Sequence, residues 1–152
     1  MKNGSLPRRL LYHLKKMPPE QPFIKPAMLS EFSDSRQIGR ALRRLVAEGH
    51  LDVVGHGIYR ILPLKGQPEL SFSRTWSAPS GVDDTTLIAA TLAKPTFSDV
   101  ARLCIAYGTL RVNKILHQLE LKPDFQSIVQ TMIDNTKAGI ANVYRSSPKR
   151  IA

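Results

Sequence analysis

The apolar residues of this 152-residue chain recur at helical spacing in several short runs. In the first third they predict one helix over 5–17, a second over about 25–32, and a third from the cap cluster "SDS" (33–35) to Glu48. Prolines in "PPEQP" (18–22) end the first helix, because proline cannot continue one. Gly49 follows the third helix at the position where glycine commonly ends a helix.

The pattern then changes to the spacing of strands. "HLDVV" and "GIYRIL" are rich in β-branched residues and lie on either side of Gly55-His56-Gly57. Glycines in this position tolerate the positive backbone angles of a tight hairpin. Three helices followed by a hairpin are the order of a winged helix-turn-helix, so the predicted fold class is mainly α with a small β-hairpin.

The second half of the chain is predicted to be a separate helical bundle. Residues 63–82 are rich in proline, glycine and serine and show no apolar period, which is typical of a linker. Helical spacing returns at Asp83, and the last helix is expected to break near Gly139. The predicted organisation is a winged helix-turn-helix (1–62), a linker with Trp76 packed against a neighbouring domain (63–82), a helical bundle for dimerisation or partner binding (83–145) and a frayed tail (146–152).

Positive charge is concentrated in the first half. Lys and Arg outnumber Asp and Glu by 12 to 5 in residues 1–66 and by 10 to 7 in residues 67–152, for a net charge of +10. Such an excess predicts a polyanion partner, most often nucleic acid, with a merely solvated basic surface as the alternative. No run reaches the roughly 18 apolar residues of a membrane span, and the start of the chain lacks a signal-peptide pattern, so a cytoplasmic protein without a membrane partner is expected.

Four arginines of the third predicted helix fall on the side opposite its apolar stripe. At about 100° per residue, the stripe is centred near Ile38 and the arginines point away from it. Like charges four residues apart repel each other, and we expect no acidic partner for them, so a polyanion would turn this repulsion into attraction. The third helix of a winged helix lies in the DNA major groove, with its N-terminal residues at base edges.

The expected DNA contacts divide by role. Base reading is assigned to Arg36, Gln37 and Arg40, because arginine can bind guanine bidentately and glutamine can pair with adenine. Phosphate contacts are assigned to Arg43, Arg44, Arg8, Arg9, Lys15 and Lys16. His56 at the hairpin tip and Arg60 in the second strand are candidates for a phosphate or the minor groove, although His56 could equally be a solvated turn residue. Tyr59 is expected to pack in the core rather than stack on a base.

The stretch "IGRALRRLVAEGHLDVVGHGIYR", Ile38 to Arg60, resembles the N-terminal winged-helix domain of AbiEi-type antitoxins of bacterial type IV toxin–antitoxin systems. The resemblance rests on an arginine-bearing helix, "L-x-x-E-G-x-L" and a Gly-x-Gly-x-Tyr-Arg wing, and it covers about 60 residues. It implies a repressor of its own operon that counteracts a nucleotidyltransferase toxin. Many relatives have a larger C-terminal domain than this chain.

No catalytic, metal or cofactor motif is evident. The four histidines and Cys104 lack metal-ligand spacing, and Cys104 is expected to be a buried small apolar residue. Asp83 and Asp84 are expected to cap a helix. The sequence thus predicts a non-enzymatic regulator that binds an inverted-repeat operator as a homodimer, with a cognate toxin as a further candidate partner. A stand-alone plasmid- or phage-type repressor and a winged-helix protein-interaction module are the alternatives.

Overall fold

A computed structural model of the chain describes residues 4–18, 22–63, 67–71 and 82–146. This part is mainly helical with a small antiparallel sheet. The helices are α1 (Leu6–Lys15), α2 (Ser35–Ala47), α3 (Asp84–Ala93), α4 (Phe97–Tyr107), α5 (Thr109–Gln118) and α6 (Pro123–Ser146), with a 3-10 helix at Pro26–Leu29. The strands are β1 (Phe23–Ile24), β2 (Leu51–Gly55) and β3 (Ile58–Ile61). The chain forms two compact units, residues 1–62 with 140–152, and residues 63–139.

The core of the first unit is built from the apolar stripes of α1 and α2. Leu10 and Leu14 of α1 are buried together with Ile38, Leu42 and Leu45 of α2. Fully burying such a side chain contributes about 1.5–3 kcal/mol relative to leaving it exposed, so these stripes position both helices. The predicted helices at both places are confirmed.

The predicted helix over 25–32 is only a four-residue 3-10 helix. Pro26 begins it, and its backbone bonds span three residues, as from Ser30 N to Ala27 O. Leu29 is buried, whereas Ala27 is exposed. A segment this short offers one apolar anchor to the core, so the tighter 3-10 geometry suffices.

The sheet has the strand order β1-β3-β2 and is antiparallel throughout. The hairpin of β2 and β3 was predicted, and its turn at His56-Gly57 has Gly57 at φ 69°, where glycine is favoured. Strand β1 was not predicted. It consists of Phe23 and Ile24, which pair with Arg60 and Tyr59.

Successive residues of each strand face opposite sides of the sheet. The inner side contributes Ile24, Leu51 and Tyr59 to the helical core, which confirms the packing role predicted for Tyr59. The outer side contributes Phe23 and Val54 to a second, smaller cluster.

The last residues of α6 cover the outer side of this sheet. Tyr144 is buried against Phe23 and Val54, with Ile140 and Ala141 packed around them. Residues 140–146 therefore belong to the first unit, whereas the sequence placed 83–145 in one helical domain. The expected break near Gly139 is wrong, since α6 is continuous from Pro123 to Ser146.

The second unit has its own core, formed by α3, α4, α5 and the part of α6 up to Gly139. Its buried members are Ile88, Leu92, Val100, Leu103, Cys104, Val112, Ile115, Leu116, Val129 and Ile133. Residues 67–71, predicted as linker, are bonded to this unit: the fully buried carboxylate of Asp99 accepts hydrogen bonds from N and Oγ of Ser71 at 2.8 and 2.7 Å. Trp76 and the tail beyond residue 146 lie outside the described residues.

Among the described residues, none of the helices has the length and apolar character needed to cross a membrane.

Candidate nucleic-acid interface

The outward side of α2 carries the polar residues that the sequence assigns to DNA. The carboxylate of Asp34 caps the helix by accepting a hydrogen bond from the backbone N–H of Gln37 at 2.8 Å, which satisfies a donor of the first turn. Because the apolar side of α2 is buried in the core, its opposite side faces outward. Five exposed residues form this surface, which we call the arginine face: Arg36, Gln37, Arg40, Arg43 and Arg44.

One member of the arginine face has an acidic partner, so the prediction that all four arginines are unpaired is wrong. Nε of Arg44 lies 3.1 Å from Oε2 of Glu48, one turn further along the helix. Both side chains are largely exposed, at 63% and 45%, and exposed pairs of this kind contribute only about 0–1 kcal/mol. Among the described residues, no ion pair with an acid is found for Arg36, Arg40 or Arg43.

The C-terminal end of α2 closes in a Schellman motif. The backbone N–H of His50 donates to the carbonyl of Leu45 at 2.9 Å, and that of Gly49 donates to the carbonyl of Val46 at 3.1 Å. Gly49 adopts φ 86°, the left-handed conformation that this motif requires and that glycine adopts without a Cβ clash. The carbonyl of His50 then accepts from Leu62 N at 3.1 Å, so the residue after the helix is held on both sides.

The basic residues of α1 divide between its two ends. Arg8 is exposed near the start of the helix and lines a groove of about 310 Å³ together with Arg44. Lys15 and Lys16 are exposed about two turns further along. Arg9 is half-buried, and its Nε is buried without a hydrogen-bond partner among the described residues. The structure therefore brings Arg8 to the arginine face and leaves the two lysines at the far end of α1.

Tyr12 lies on the same exposed side of α1 and was not singled out from the sequence. Its side chain is 65% exposed, and Nζ of Lys16 lies 4.1 Å from the centroid of its ring. Arg8, Tyr12 and Lys16 follow one another at intervals of four residues, which places them on one side of a helix. This spacing is the signal that could have found the tyrosine.

The two remaining predicted DNA contacts, His56 and Arg60, lie in the hairpin and differ in exposure. His56 is exposed in the turn, where a phosphate can approach it. Arg60 is only 7% exposed and lies opposite the buried Asp52 in the strand register. Because so little of this side chain is exposed, it is not placed to reach a phosphate or the minor groove, and its assignment to DNA is corrected.

In the second unit, Cys104 and Asp83 have the structural roles that the sequence predicts. Cys104 is fully buried in the core, as predicted. Asp83 caps α3, also as predicted, and hydrogen bonds from the side chain and backbone of Thr86, with a smaller contribution from the charge of Arg111, lower its pKa. Burial, followed by the 2.8 Å hydrogen bond to Asp84, raises the pKa of Tyr107 well above its ordinary value.

Groups of three metal-ligating side chains are not found within the described residues. The chain matches no protein-family model, no curated protein and no solved structure, so the arginine face and its surroundings are the basis for assigning a function.

Proposed function

We propose that the protein is a sequence-specific DNA-binding regulator whose first unit is a winged helix-turn-helix. The order α1, β1, 3-10 helix, α2 and the β2–β3 hairpin supports this arrangement, with the 3-10 helix in the place of the second helix. The antiparallel sheet behind α2 supplies the hairpin that would serve as the wing. In this arrangement α2 is the helix that enters the major groove.

The observation that carries the proposal is the arginine face. Three of its arginines have no acidic partner among the described residues, and the core holds them on one exposed side of a capped helix. Arg36, Gln37 and Arg40 lie in the first half of α2, the end that contacts base edges in such domains. Arg43 and Arg44 lie one turn later, where the phosphates at the edge of the DNA major groove would be.

A homodimer on an inverted repeat is part of the proposal, because one winged helix covers only a short site. Four large apolar side chains of the second unit are about half exposed: Phe97, Ile105, Leu110 and Ile128. They support the assignment of dimerisation to this unit. Molar mass in solution, measured for the unmodified chain and for Ile105→Asp, tests that assignment, and a monomeric unmodified chain would contradict it.

The test of DNA binding uses the full chain and the duplex upstream of its own reading frame. For about six phosphate contacts, affinity should fall roughly 10³-fold between 50 and 200 mM salt. Arg36→Ala/Arg40→Ala should abolish preference for this duplex over random DNA. Lys122→Ala removes an exposed positive charge of the second unit and serves as the matched control. Affinity that does not change with salt would overturn the proposal.

We further propose that this regulator is an antitoxin that acts in the cytoplasm by repression or by occupying its partner, without chemistry of its own. The support is the sequence resemblance over Ile38–Arg60, whose glycines coincide with the helix end at Gly49 and the turn at Gly57. The test is co-expression of an adjacent nucleotidyltransferase with Arg36→Ala/Arg40→Ala protein from an unrelated promoter. Survival would assign protection to the rest of the chain, and enzymatic removal of the toxin's mark would contradict a non-catalytic role.

A further inference from the structure

The groove beside the arginine face lies between the start of α1 and the end of α2. Its volume is about 310 Å³. Both polar and apolar residues line this groove. They are Ser5, Pro7, Arg8, Leu11, Arg44, Leu45, Glu48 and His50. Only Arg8 and Arg44 of these residues were expected to contact DNA.

The α1 side of the groove presents several donors. Ser5 is the N-cap residue, yet its hydroxyl makes no cap hydrogen bond to the helix. The first backbone N–H groups of a helix have no partner within it, and Arg8, in the first turn of α1, lines the groove. The Arg8 stem lies over Gly4, where an added Cβ would come within 2.9 Å of Arg8 Cδ.

The α2 side of the groove is fixed by the Schellman motif. Gly49 turns the chain so that His50 follows the helix end and lines the groove, and two backbone hydrogen bonds hold His50 there. Arg44 reaches the groove from the last turn of α2 and is paired with Glu48. The two arginines, Arg8 and Arg44, and the one glutamate, Glu48, give the groove a net charge of +1. The imidazole of His50 is a further hydrogen-bond donor.

Hydrogen-bond donors beside apolar side chains match the chemistry of a sugar–phosphate unit, which repeats along a DNA strand. A phosphate requires cationic and N–H donors, whereas a deoxyribose ring presents carbon atoms that pack against apolar side chains such as Pro7 and Leu11. Arg44 lies one helical turn, about 6 Å, beyond Arg40. The groove therefore continues from the base-reading part of the arginine face towards the place where a DNA strand would leave the major groove.

We propose that this groove binds one sugar–phosphate unit of the DNA backbone, with Arg8, Arg44 and His50 on the phosphate and Pro7 and Leu11 against the sugar. The inference rests on the proposed function and deepens it, because it names a contact that sets the position of α2 on the duplex. Phosphate contacts fix the register of a protein on DNA, while base contacts carry the sequence information. Glu48 opposes this contact by its charge and by competing for Arg44.

The experiment compares three groove variants of the full chain on cognate and random duplexes. Arg8→Ala should weaken binding to both duplexes about tenfold. It should also reduce the slope of log affinity against log salt concentration by about 1, the amount expected for one lost phosphate contact. His50→Gln should weaken both by a smaller factor. Glu48→Gln should strengthen both, a gain that a merely misfolded variant cannot produce. Lys122→Ala again controls for loss of a positive charge elsewhere.

A duplex with one uncharged methylphosphonate, moved along the strand, locates the contacted phosphate. At one position the substitution should weaken the unmodified chain and leave Arg8→Ala unchanged, because the contact is already lost. If neither Arg8→Ala nor Glu48→Gln changes affinity while Arg36→Ala/Arg40→Ala does, the groove proposal fails and the DNA-binding function stands. If the unmodified chain binds no duplex, both fail.

The same phosphate chemistry could come from a free nucleotide. Titration with inorganic phosphate and with deoxyadenosine monophosphate, followed by amide NMR shifts of residues 5–8 and 50, distinguishes this source. Weak binding in the millimolar range fits a site that depends on the rest of the duplex. Micromolar binding of the mononucleotide, together with DNA affinity that Arg8→Ala leaves unchanged, would identify a small-molecule site and overturn the backbone assignment.

Discussion

The ring of Tyr144, near the end of α6, meets the ring of Phe23 in β1 edge-on, with 5.2 Å between centroids and 67° between planes. The two residues are far apart in sequence, and both belong to the first unit. Residues 140–146 thus complete the surface of the sheet that carries the hairpin. A fragment ending near residue 66 would lack this cover and expose Phe23, so weak DNA binding by such a fragment would not by itself show that dimerisation is required.

Replacing Tyr144 should therefore destabilise the first unit. Tyr144→Ala removes a side chain that is 6% exposed, together with its contact to Phe23, and should cost about 3 kcal/mol of unfolding free energy. Val143→Ala changes the preceding residue, which is 62% exposed, and should stay within about 0.5 kcal/mol of the unmodified chain. Urea denaturation of the two variants tests this. Equal stability would mean that the end of α6 contributes nothing to the sheet.

Two glycines of the α2 region should respond to alanine in opposite directions. Gly49 adopts φ 86°, so Gly49→Ala forces a left-handed conformation and should cost about 1–2 kcal/mol. Gly39 lies inside α2, and an added Cβ there would meet only Arg43 Nη1, at 3.6 Å. Gly39→Ala should stabilise the protein by about 0.5–1 kcal/mol. Thermal denaturation of both variants measures the signs, and a destabilising Gly39→Ala would contradict the open surroundings of this position.

Asp83 should make part of the stability depend on acidic pH. Hydrogen bonds from Thr86 lower its pKa below the ordinary value of 3.8, so the folded protein favours the ionised form. Its contribution is complete above the unfolded-state pKa and is lost as pH falls through the lower folded-state pKa. Asp83→Asn keeps the capping oxygen but removes the charge. Below about pH 4, the unmodified chain should lose stability more steeply than the variant, and parallel pH profiles in urea denaturation would refute this.

The local parts of the fold could be predicted from the sequence because their signals are local. Spacing of apolar residues, the cap at Asp34 and the glycine at 49 together define α2 and its exposed side. Strand β1 has only two residues, and what makes it a strand is pairing with β3, which lies more than thirty residues later. The residues next to Phe23 in the sequence therefore do not reveal that it lies in a strand.

Arg60 shows how a distant contact changes a site assignment. In β3 it alternates with Tyr59 and Ile61, which face the core, so its own side of the sheet would normally be solvated. Ile140, Ala141 and Tyr144 pack on that side of the sheet, where Arg60 is buried opposite Asp52. The groove between α1 and α2 could not be predicted from the sequence either. Its lining combines residues 5–11 with residues 44–50, and His50 belongs to no recognisable motif.

The last prediction separates base reading from phosphate binding on the arginine face. Arg40 is exposed in the middle of α2, is not paired with an acid among the described residues and lies in the part of the helix assigned to base edges. Arg40→Ala should cost about 1–3 kcal/mol on the cognate duplex and relax the preference at one base pair. Arg43→Ala, one turn later, should weaken all duplexes by a similar factor.

The measurement is the affinity of each variant for a panel of duplexes that differ from the cognate site at single positions. If Arg40 binds guanine bidentately, one position loses discrimination and the others keep theirs, because base contacts at separate positions are roughly additive. If Arg40→Ala instead lowers affinity for every duplex equally, Arg40 contacts the backbone and base reading falls to Arg36 and Gln37. Loss of discrimination at several positions at once would indicate that α2 has shifted its register, which places the positioning contacts, rather than Arg40 alone, in control of specificity.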